Sequence, residues 1–364
     1  MRRGTLRNLA VAGGLVAAYL VGTYCGVIIS DAGNCVAAPS PSGGDDTIAL
    51  NDWISGIPDG GCGFVQPRED GQRRVYKIEG TVLISDRHDF TLGLAAATFR
   101  APSVVGNLGT PGGKVVWRPH VRVLNSTNVT ITGLRVEGAW NGTGNTAYEG
   151  EAAFNVLNSS GALVNVQAHG VGGDGVEIGG STGFFVTGSS FDTLGRMGVS
   201  IIEGSTNVVV DHNTFDGIPR SVFDVEMISD RFTSTDIHFT NNTIGNFGLL
   251  TLAAGGQGTK SGIELAGNVM TAKPLRVKYV GSDLTVRDNI GFGVSSGPIV
   301  AVFVGTGLTL TGNVQAFHPP EGKNPGTYAV NLSDWCEATA SGNDFADALG
   351  VFQGTAPVDC TWRE

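Results

Sequence analysis

Two near-identical segments of the sequence carry its densest group of charged residues. In each, a Phe-Asp pair is followed after three residues by an arginine, Arg196 or Arg220, and then by a run rich in apolar residues. The alternation after Arg220 predicts a β-strand from which Asp224 and Glu226 point outward. Carboxyl and guanidinium groups together can exchange protons with a ligand and stabilise a developing anion, so these residues are candidates for catalysis.

The spacing of similar segments extends this group. Ser200 aligns with Asp224 at an interval of 24 residues, and Glu177 aligns with Ser200 at an interval of 23. If one interval is one turn of a repeating fold, the three side chains form an outward column with neighbours about 4.8 Å apart. We interpret Ser200 as a substrate-binding residue. The predicted catalytic residues are Arg220, Asp224, Glu226, Arg196 and Glu177.

A structural explanation of the same charges is also open. They can form ion pairs between neighbouring turns on an exposed sheet, with Asp192 and Asp216 capping turns. Charges without a common role are expected to scatter over the surface, whereas these stack, and stacking favours a functional site.

The element that must position these residues is a repeat. Segments of alternating apolar residues end in a polar pair whose second member is asparagine, at intervals of 29, 26, 21, 24 and 30 residues. One such interval fits a coil of three short strands and three turns, and stacked coils bury their inward side chains in one core. We therefore predict an all-β, right-handed, single-stranded parallel β-helix. The asparagines in register are Asn213, Asn242, Asn268, Asn289, Asn313 and Asn343.

The recurring asparagine also constrains the turn. Asparagine tolerates the left-handed backbone conformation, and stacked asparagines can form a ladder of amide hydrogen bonds. A β-sandwich, the alternative all-β fold, does not predict an asparagine at every third turn.

Three segments precede or open the predicted β-helix domain at residues 45–364. Residues 1–38 contain three arginines and then an uncharged run of 21 residues, Leu9–Ile29, which predicts either a cleaved signal peptide or an uncleaved membrane anchor. Residues 39–44 are a Pro/Ser/Gly linker. Residues 45–57 have apolar side chains at helical spacing, so we expect a helix that caps the open end of the solenoid. Either interpretation of the leader places the domain outside the cytoplasm, secreted or anchored at the cell surface.

The cysteines agree with an oxidising compartment. One lies in the apolar run and four remain, which allow three pairings. The local pairings, Cys35 with Cys62 and Cys336 with Cys360, would tie down the two ends of the domain.

The composition argues against a nucleic-acid-binding protein and against a disordered chain. The formal net charge of −10 gives no basic surface for nucleic acid, so no nucleic-acid partner is expected. Charged residues make up 15% and hydrophobic residues 41%, which is too apolar for a disordered chain.

The start of the domain resembles the pectate-lyase superfamily of right-handed parallel β-helices, and the resemblance extends over about residues 44–350. The motif that carries it consists of Gly44-Asp45-Asp46-Thr47, the helix, Gly60-Gly61, Val65, Pro67, Tyr76-Lys77-Ile78 and Leu83. The resemblance implies a polysaccharide lyase or glycoside hydrolase acting on an acidic glycan, with Ca²⁺ as a cofactor of some members. The same motif occurs in phage tail-spike and surface-polysaccharide proteins, so a non-catalytic adhesin, glycan-binding or structural role is the alternative.

Individual catalytic motifs of the superfamily match poorly. The Gly-Asp-Asp motif of polygalacturonase-like hydrolases is reduced to Gly173-Asp174-Gly175, and Gly195–Gly198 contains no histidine. The Asp-Pro-His motif of alginate epimerases is absent. Calcium-dependent lyases use acidic residues near an arginine, which is compatible with the group described above.

Two aromatic residues lie in a long Gly/Asn loop at 138–151. Trp140 and Tyr148 are candidates for stacking on sugar rings, with ordinary loop packing as the alternative.

Overall fold

The computed structural model describes residues 35–103, 117–142, 150–227, 229–293, 300–317, 330–332, 335–345, 352–353 and 361–363. Residues 1–34, which contain the uncharged run of the predicted leader, lie outside these ranges, as do Tyr148 and Cys360. Within them, no helix is long and apolar enough to cross a membrane.

The domain begins with the predicted capping helix. Helix α1 spans Thr47–Gly56 and buries Thr47, Leu50, Trp53 and Ile54. An Asp45 carboxylate oxygen accepts the backbone N–H of Thr47, the first residue of the helix, at 3.0 Å, while the N-cap residue Asp46 makes no capping hydrogen bond with its side chain.

The rest of the described chain coils into three stacks of parallel strands, which confirms the predicted β-helix. The first stack contains β4 (Val82–Ser85), β7 (Val121–Leu124), β10 (Phe154–Leu157), β13 (Val176–Gly179), β16 (Val199–Ile202), β19 (Ser221–Met227), β22 (Leu250–Gly256), β29 (Val330–Leu332) and β31 (Phe352–Gln353). The second stack contains β1 (Val36–Ala37), β2 (Cys62–Phe64), β5 (Thr91–Gly93), β8 (Val129–Thr132), β11 (Gly161–Val164), β14 (Thr182–Thr187), β17 (Thr206–Asp211), β20 (Thr233–Thr240), β23 (Thr259–Ala266), β30 (Trp335–Ser341) and β32 (Trp362–Arg363). Two long strands, β25 (Val277–Arg287) and β27 (Val300–Thr311), run through both stacks.

The third stack is a separate sheet of ten strands. It contains β3 (Arg74–Lys77), β6 (Ala97–Arg100), β9 (Arg135–Glu137), β12 (Gln167–His169), β15 (Ser190–Asp192), β18 (Thr214–Asp216), β21 (Thr243–Ile244), β24 (Val269–Met270), β26 (Ile290–Gly293) and β28 (Val314–Phe317). Each coil passes from the second stack to the third and returns to the first through a short turn, which we call the corner turn.

The inward side chains form one continuous core from α1 to β30. Aromatic rings stack between neighbouring coils, with the centroids of Phe191 and Phe215 at 5.2 Å, and also within one coil, with those of Phe223 and Phe239 at 4.8 Å. Because Phe223 is inward, its strand neighbours are held at outward positions.

The predicted asparagine ladder is present. Each Nδ2 in the run from Asn213 to Asn313 donates to the side-chain oxygen of the next asparagine, at 2.9–3.1 Å. The expectation that these asparagines adopt the left-handed conformation was wrong. That conformation belongs to the residue just before each one, such as His212 (φ 54°) and Asn241 (φ 53°), because the ladder asparagine must turn its amide inward to reach backbone carbonyls.

A disulfide joins Cys35 to Cys62 at the helix-capped end, in agreement with one of the two local pairings. Cys336 is also disulfide-bonded, and its partner lies outside the described residues.

Candidate active site

The first stack brings the predicted column together. In the strand register Ser200 pairs with Glu177 on one side and with Asp224 on the other. We call Glu177, Ser200 and Asp224 the site column. Their side chains point away from the core, but other groups cover them, and the three residues are only 4%, 4% and 6% exposed. The column thus points outward, as the strand alternation predicts, but is shielded from solvent.

Asp174, in the corner turn before β13, ties the column to its neighbours. One carboxylate oxygen accepts the hydroxyl of Ser200 at 2.6 Å, and the other accepts the backbone N–H of Met197 at 3.1 Å. Nη1 of Arg196 lies 3.6 Å from the first oxygen. Sequence reasoning noted Asp174 only as part of an incomplete motif, and its role depends on how the turns stack.

Two more residues extend the column toward the N-terminus. Nε of Arg122 donates to the side-chain oxygen of Asn155 at 2.8 Å, and Nδ2 of Asn155 donates to Glu177 at 2.5 Å. Asn155 pairs directly with Glu177 in the strand register. The sequence held a signal for both, because they occupy the second position of β7 and β10, as Glu177 does in β13.

Both carboxyl groups of the column hold a proton more tightly than usual. Burial raises the pKa of Glu177 to about 7, and the nearby charge of Asp174 adds to this against the opposing effects of Arg196 and Arg122. Burial also raises the pKa of Asp224 to about 7, reinforced by Glu226 and Asp174. Near neutral pH each group can therefore donate or accept a proton.

The remaining predicted catalytic residues border the column. Glu226 is exposed and belongs to the next outward position, opposite Ile202 and Gly255. Arg220 is half-buried in the corner turn before β19, and its backbone N–H donates to Arg196 at 3.3 Å. Within the described part of the chain, the guanidinium of Arg220 has no hydrogen bond or ion pair.

A buried lysine lies at the second position of β23, in the second stack. Lys260 is 1% exposed, and its Nζ donates to the carbonyl oxygens of Gln257 and Gly258 at 2.9 and 3.4 Å. Burial lowers its pKa, and attraction to Asp224 and Glu226 opposes this. Sequence reasoning missed this cation because its position depends on the turn after β22.

The residues do not fit the calcium site that the superfamily resemblance suggested. Among the described residues, no group of three or more acidic, histidine or cysteine side chains is arranged to hold a metal ion. The carboxylate oxygens of Asp174 are instead engaged by Ser200 and Met197. We derive no catalytic step through calcium.

Trp140 is not part of the column and lines a groove in the corner turns. It is 8% exposed, so its ring faces are largely covered by protein. The groove has a volume of about 360 Å³. We call it the corner groove; its lining is Trp140, Gly142, Thr193, Gly217–Pro219, Asn246–Gly248 and Lys273.

The sequence comparisons identify the class of protein. The model of the right-handed β-helix region family matches residues 119–345. The chain belongs to this family. Among curated proteins, none matches the sequence.

Solved structures agree on the fold. The surface adhesin PfbA of Streptococcus pneumoniae has a TM-score of 0.55 and 14% identity, covering 87% of this chain and 91% of that one. The A-module of mannuronan C-5 epimerase AlgE6 of Azotobacter vinelandii has a TM-score of 0.55 and 13% identity, covering 92% and 97%. The alginate lyase of Paenibacillus sp. str. FPU-7 has a TM-score of 0.50 and 15% identity, covering 89% and 98%. The resemblance to the pectate-lyase fold is thereby confirmed, and at these identities the likeness concerns fold alone.

Proposed function

We propose that this protein is a polysaccharide-cleaving enzyme that acts outside the cytoplasm on an acidic glycan, with Glu177 and Asp224 as its acid–base pair. The observation that carries the proposal is the pair itself. Two carboxyl groups flank Ser200 in one outward column, and burial raises the pKa of both to about 7.

The geometry suits general acid–base chemistry. The strands of Glu177 and Asp224 are two coil spacings, or about 10 Å, apart with Ser200 between them, so a substrate would reach both carboxyl groups from the outward side of the column. The nearby charge of Asp174 helps to keep both carboxyls protonated, and a group with a pKa of about 7 is partly protonated near neutral pH, so the pair can supply one base and one acid. In hydrolysis the acid protonates the leaving oxygen while the base activates water.

Arg220 supports an anionic substrate. Its guanidinium has no protein partner among the described residues and stands one coil from Arg196, which already contacts Asp174. A guanidinium binds a uronate carboxylate through two parallel hydrogen bonds, and it also stabilises the anion formed when a proton is removed beside that carboxylate. Removal of that proton, with one carboxyl of the pair as base, is the first step of β-elimination.

The location outside the cytoplasm is supported by the Cys35–Cys62 disulfide, because such bonds persist in oxidising compartments. The mass of the mature protein distinguishes a cleaved leader from a retained membrane anchor.

One observation favours a second candidate, a binding protein without turnover. The site column is almost entirely covered, and Ser200 and Glu177 are held by hydrogen bonds to other residues of the chain. The resemblance in fold to a surface adhesin is compatible with this role.

The test uses the domain with a panel of uronic-acid polymers. New double bonds, detected by absorbance, indicate β-elimination, and new reducing ends without double bonds indicate hydrolysis. Binding without either product favours the binding protein. A Glu177→Gln/Asp224→Asn double variant is the control, since it keeps the shape of both side chains and removes the acid–base pair.

A further inference from the structure

The corner groove offers a second place for a ligand beside the site column. Its walls come from four successive corner turns, those of Thr193, Pro219, Phe247 and Lys273, and from Trp140 and Gly142 after β9. Successive coils are about 4.8 Å apart, so the groove runs about 14 Å along the solenoid axis. Pro219 is the residue before Arg220, and the groove therefore adjoins the predicted substrate contact.

The walls combine apolar surfaces with a few polar groups. Pro219 and Phe247 supply apolar surface, and Asn246 and Thr193 supply polar side chains. Sugar rings present apolar faces and hydroxyl edges, and sites of this mixed kind bind them well.

The groove is lined by a cationic side chain, that of Lys273, and by a buried hydrogen-bond donor, that of Trp140. Nζ of Lys273 lies 5.9 Å from the ring centroid of Phe247 and donates to that residue's carbonyl oxygen, and an ammonium has two further donors. Nε1 of Trp140 is buried and has no hydrogen-bond partner in the described part of the chain. The lining contains no acidic residue, but the carboxylates of Asp216 and Asp192 lie next to it and accept hydrogen bonds from the backbone N–H of Asn246 and the hydroxyl of Thr193. Within the lining itself Lys273 is the charged residue, and its ammonium is the group that an anionic ligand can pair with.

We propose that the corner groove binds the sugar units of an acidic glycan next to those held at the site column, with Lys273 paired to a uronate carboxylate. The proposal rests on the proposed function for the identity of the glycan, and it assigns Lys273 as a specificity-determining residue.

The experiment measures binding separately from cleavage. Wild-type groove residues and the Lys273→Met substitution are compared in the Glu177→Gln/Asp224→Asn background by calorimetry. The probes are hexamers of galacturonate and of mannuronate, and an uncharged hexasaccharide. Lys77→Met is the matched control, because Lys77 is an exposed lysine on the third stack, away from the groove.

We expect Lys273→Met to weaken binding of an acidic hexamer at least about tenfold at low salt, with little change at high salt. Lys77→Met should change it less than about twofold, and the uncharged hexamer should not respond to either. Asn246→Asp, which adds a negative charge to the groove without removing a lysine, should also weaken acidic binding.

Three outcomes overturn the proposal: wild-type affinity in Lys273→Met, an equal loss for the uncharged hexamer, or no binding of any acidic hexamer to the unsubstituted groove. Failure of the proposed function is distinguishable. If acidic glycans bind in a Lys273-dependent manner but the wild-type protein never cleaves them, the groove stands and the catalytic proposal falls.

Discussion

Glu177 and Glu264 are both outward-pointing glutamates on neighbouring strand stacks, and the fold treats them in opposite ways. Glu264 accepts Nδ1 of His238 at 2.8 Å and Nε of Arg287 at 2.6 Å, and these contacts lower its pKa to about 2. Burial instead raises the pKa of Glu177 to about 7, and the neutral amide of Asn155 donates a hydrogen bond to its carboxyl group. We call His238, Glu264 and Arg287 the ion network.

The difference shows what each region contributes. In the ion network each charge meets an opposite charge at a partly exposed surface, which is the pattern of a structural cluster. In the site column two carboxyls are buried near other carboxyls, an arrangement that costs stability. Such unfavourable placement is common where a protein needs protonation near neutral pH, so the column is the better candidate for chemistry.

Neutralising a carboxyl group in each region in turn tests most directly whether the site column, and not the ion network, carries the catalytic groups. Glu177→Gln or Asp224→Asn should lower the initial rate of glycan cleavage at least about 100-fold, because each removes one proton-transfer group. Glu264→Gln is the matched control and should leave that rate within about twofold. Normal turnover in either site-column variant would remove its residue from the mechanism.

The arginines permit a second comparison. Arg220→Met should lower turnover about 100-fold or more, since it removes the anion-stabilising group, while the free energy of unfolding changes by less than about 0.5 kcal/mol. Arg287→Met should do the reverse, with unchanged turnover and a loss of about 0.5–1 kcal/mol. Initial rates and denaturant midpoints measured on both variants test this. An equal effect of the two substitutions would contradict the assignment.

The sequence was sufficient for the scaffold and for the register of the site column. Strand alternation is local, and the interval between repeats places Glu177, Ser200 and Asp224 in one column without knowledge of any long-range contact. The amide ladder followed from the same repeat. Such features depend only on periodicity, so sequence can predict them.

The rest depends on contacts between turns of unequal length. The hydrogen bond from Ser200 to Asp174 depends on how a corner turn folds against the next coil. The burial of Lys260 depends in the same way on the turn after β22. These turns have no period, so sequence did not indicate that the column is covered. For the same reason the protonation of Glu177 and Asp224 followed only from the structure.

The pH dependence of stability separates the two regions further. Because the folded pKa of Glu177 and Asp224 is raised to about 7, the folded state binds more protons than the unfolded state between about pH 4 and 7. Their contribution to stability therefore falls as pH rises through that window. At about 1.4 kcal/mol per pKa unit, we expect the pair to lower the free energy of unfolding by several kcal/mol from pH 4 to 8.

Denaturant unfolding of the wild type and the Glu177→Gln/Asp224→Asn variant across this range measures the effect. The variant should lose the slope and exceed the wild type in stability above pH 7. Parallel pH profiles would mean that the two carboxyls titrate normally in the folded protein.

The ion network should show the smallest effect, with the opposite sign at acidic pH. The lowered pKa of Glu264 stabilises the fold above about pH 4.5, and this contribution is lost as pH falls toward 2. The raised pKa of His238 stabilises it below about pH 6.5, and this is lost as pH rises through the folded pKa. Between these limits both contributions are present.

Glu264→Gln should therefore cost about 1 kcal/mol near pH 5.5, discounted for the partial exposure of its partners. The loss should shrink as pH approaches 2, where the wild-type carboxyl is also neutral. Urea midpoints of the two proteins from pH 2 to 6 give the measurement. A loss that stays constant over this range would show that Glu264 acts through packing rather than charge, and the contrast with Glu177 would then rest on the site column alone.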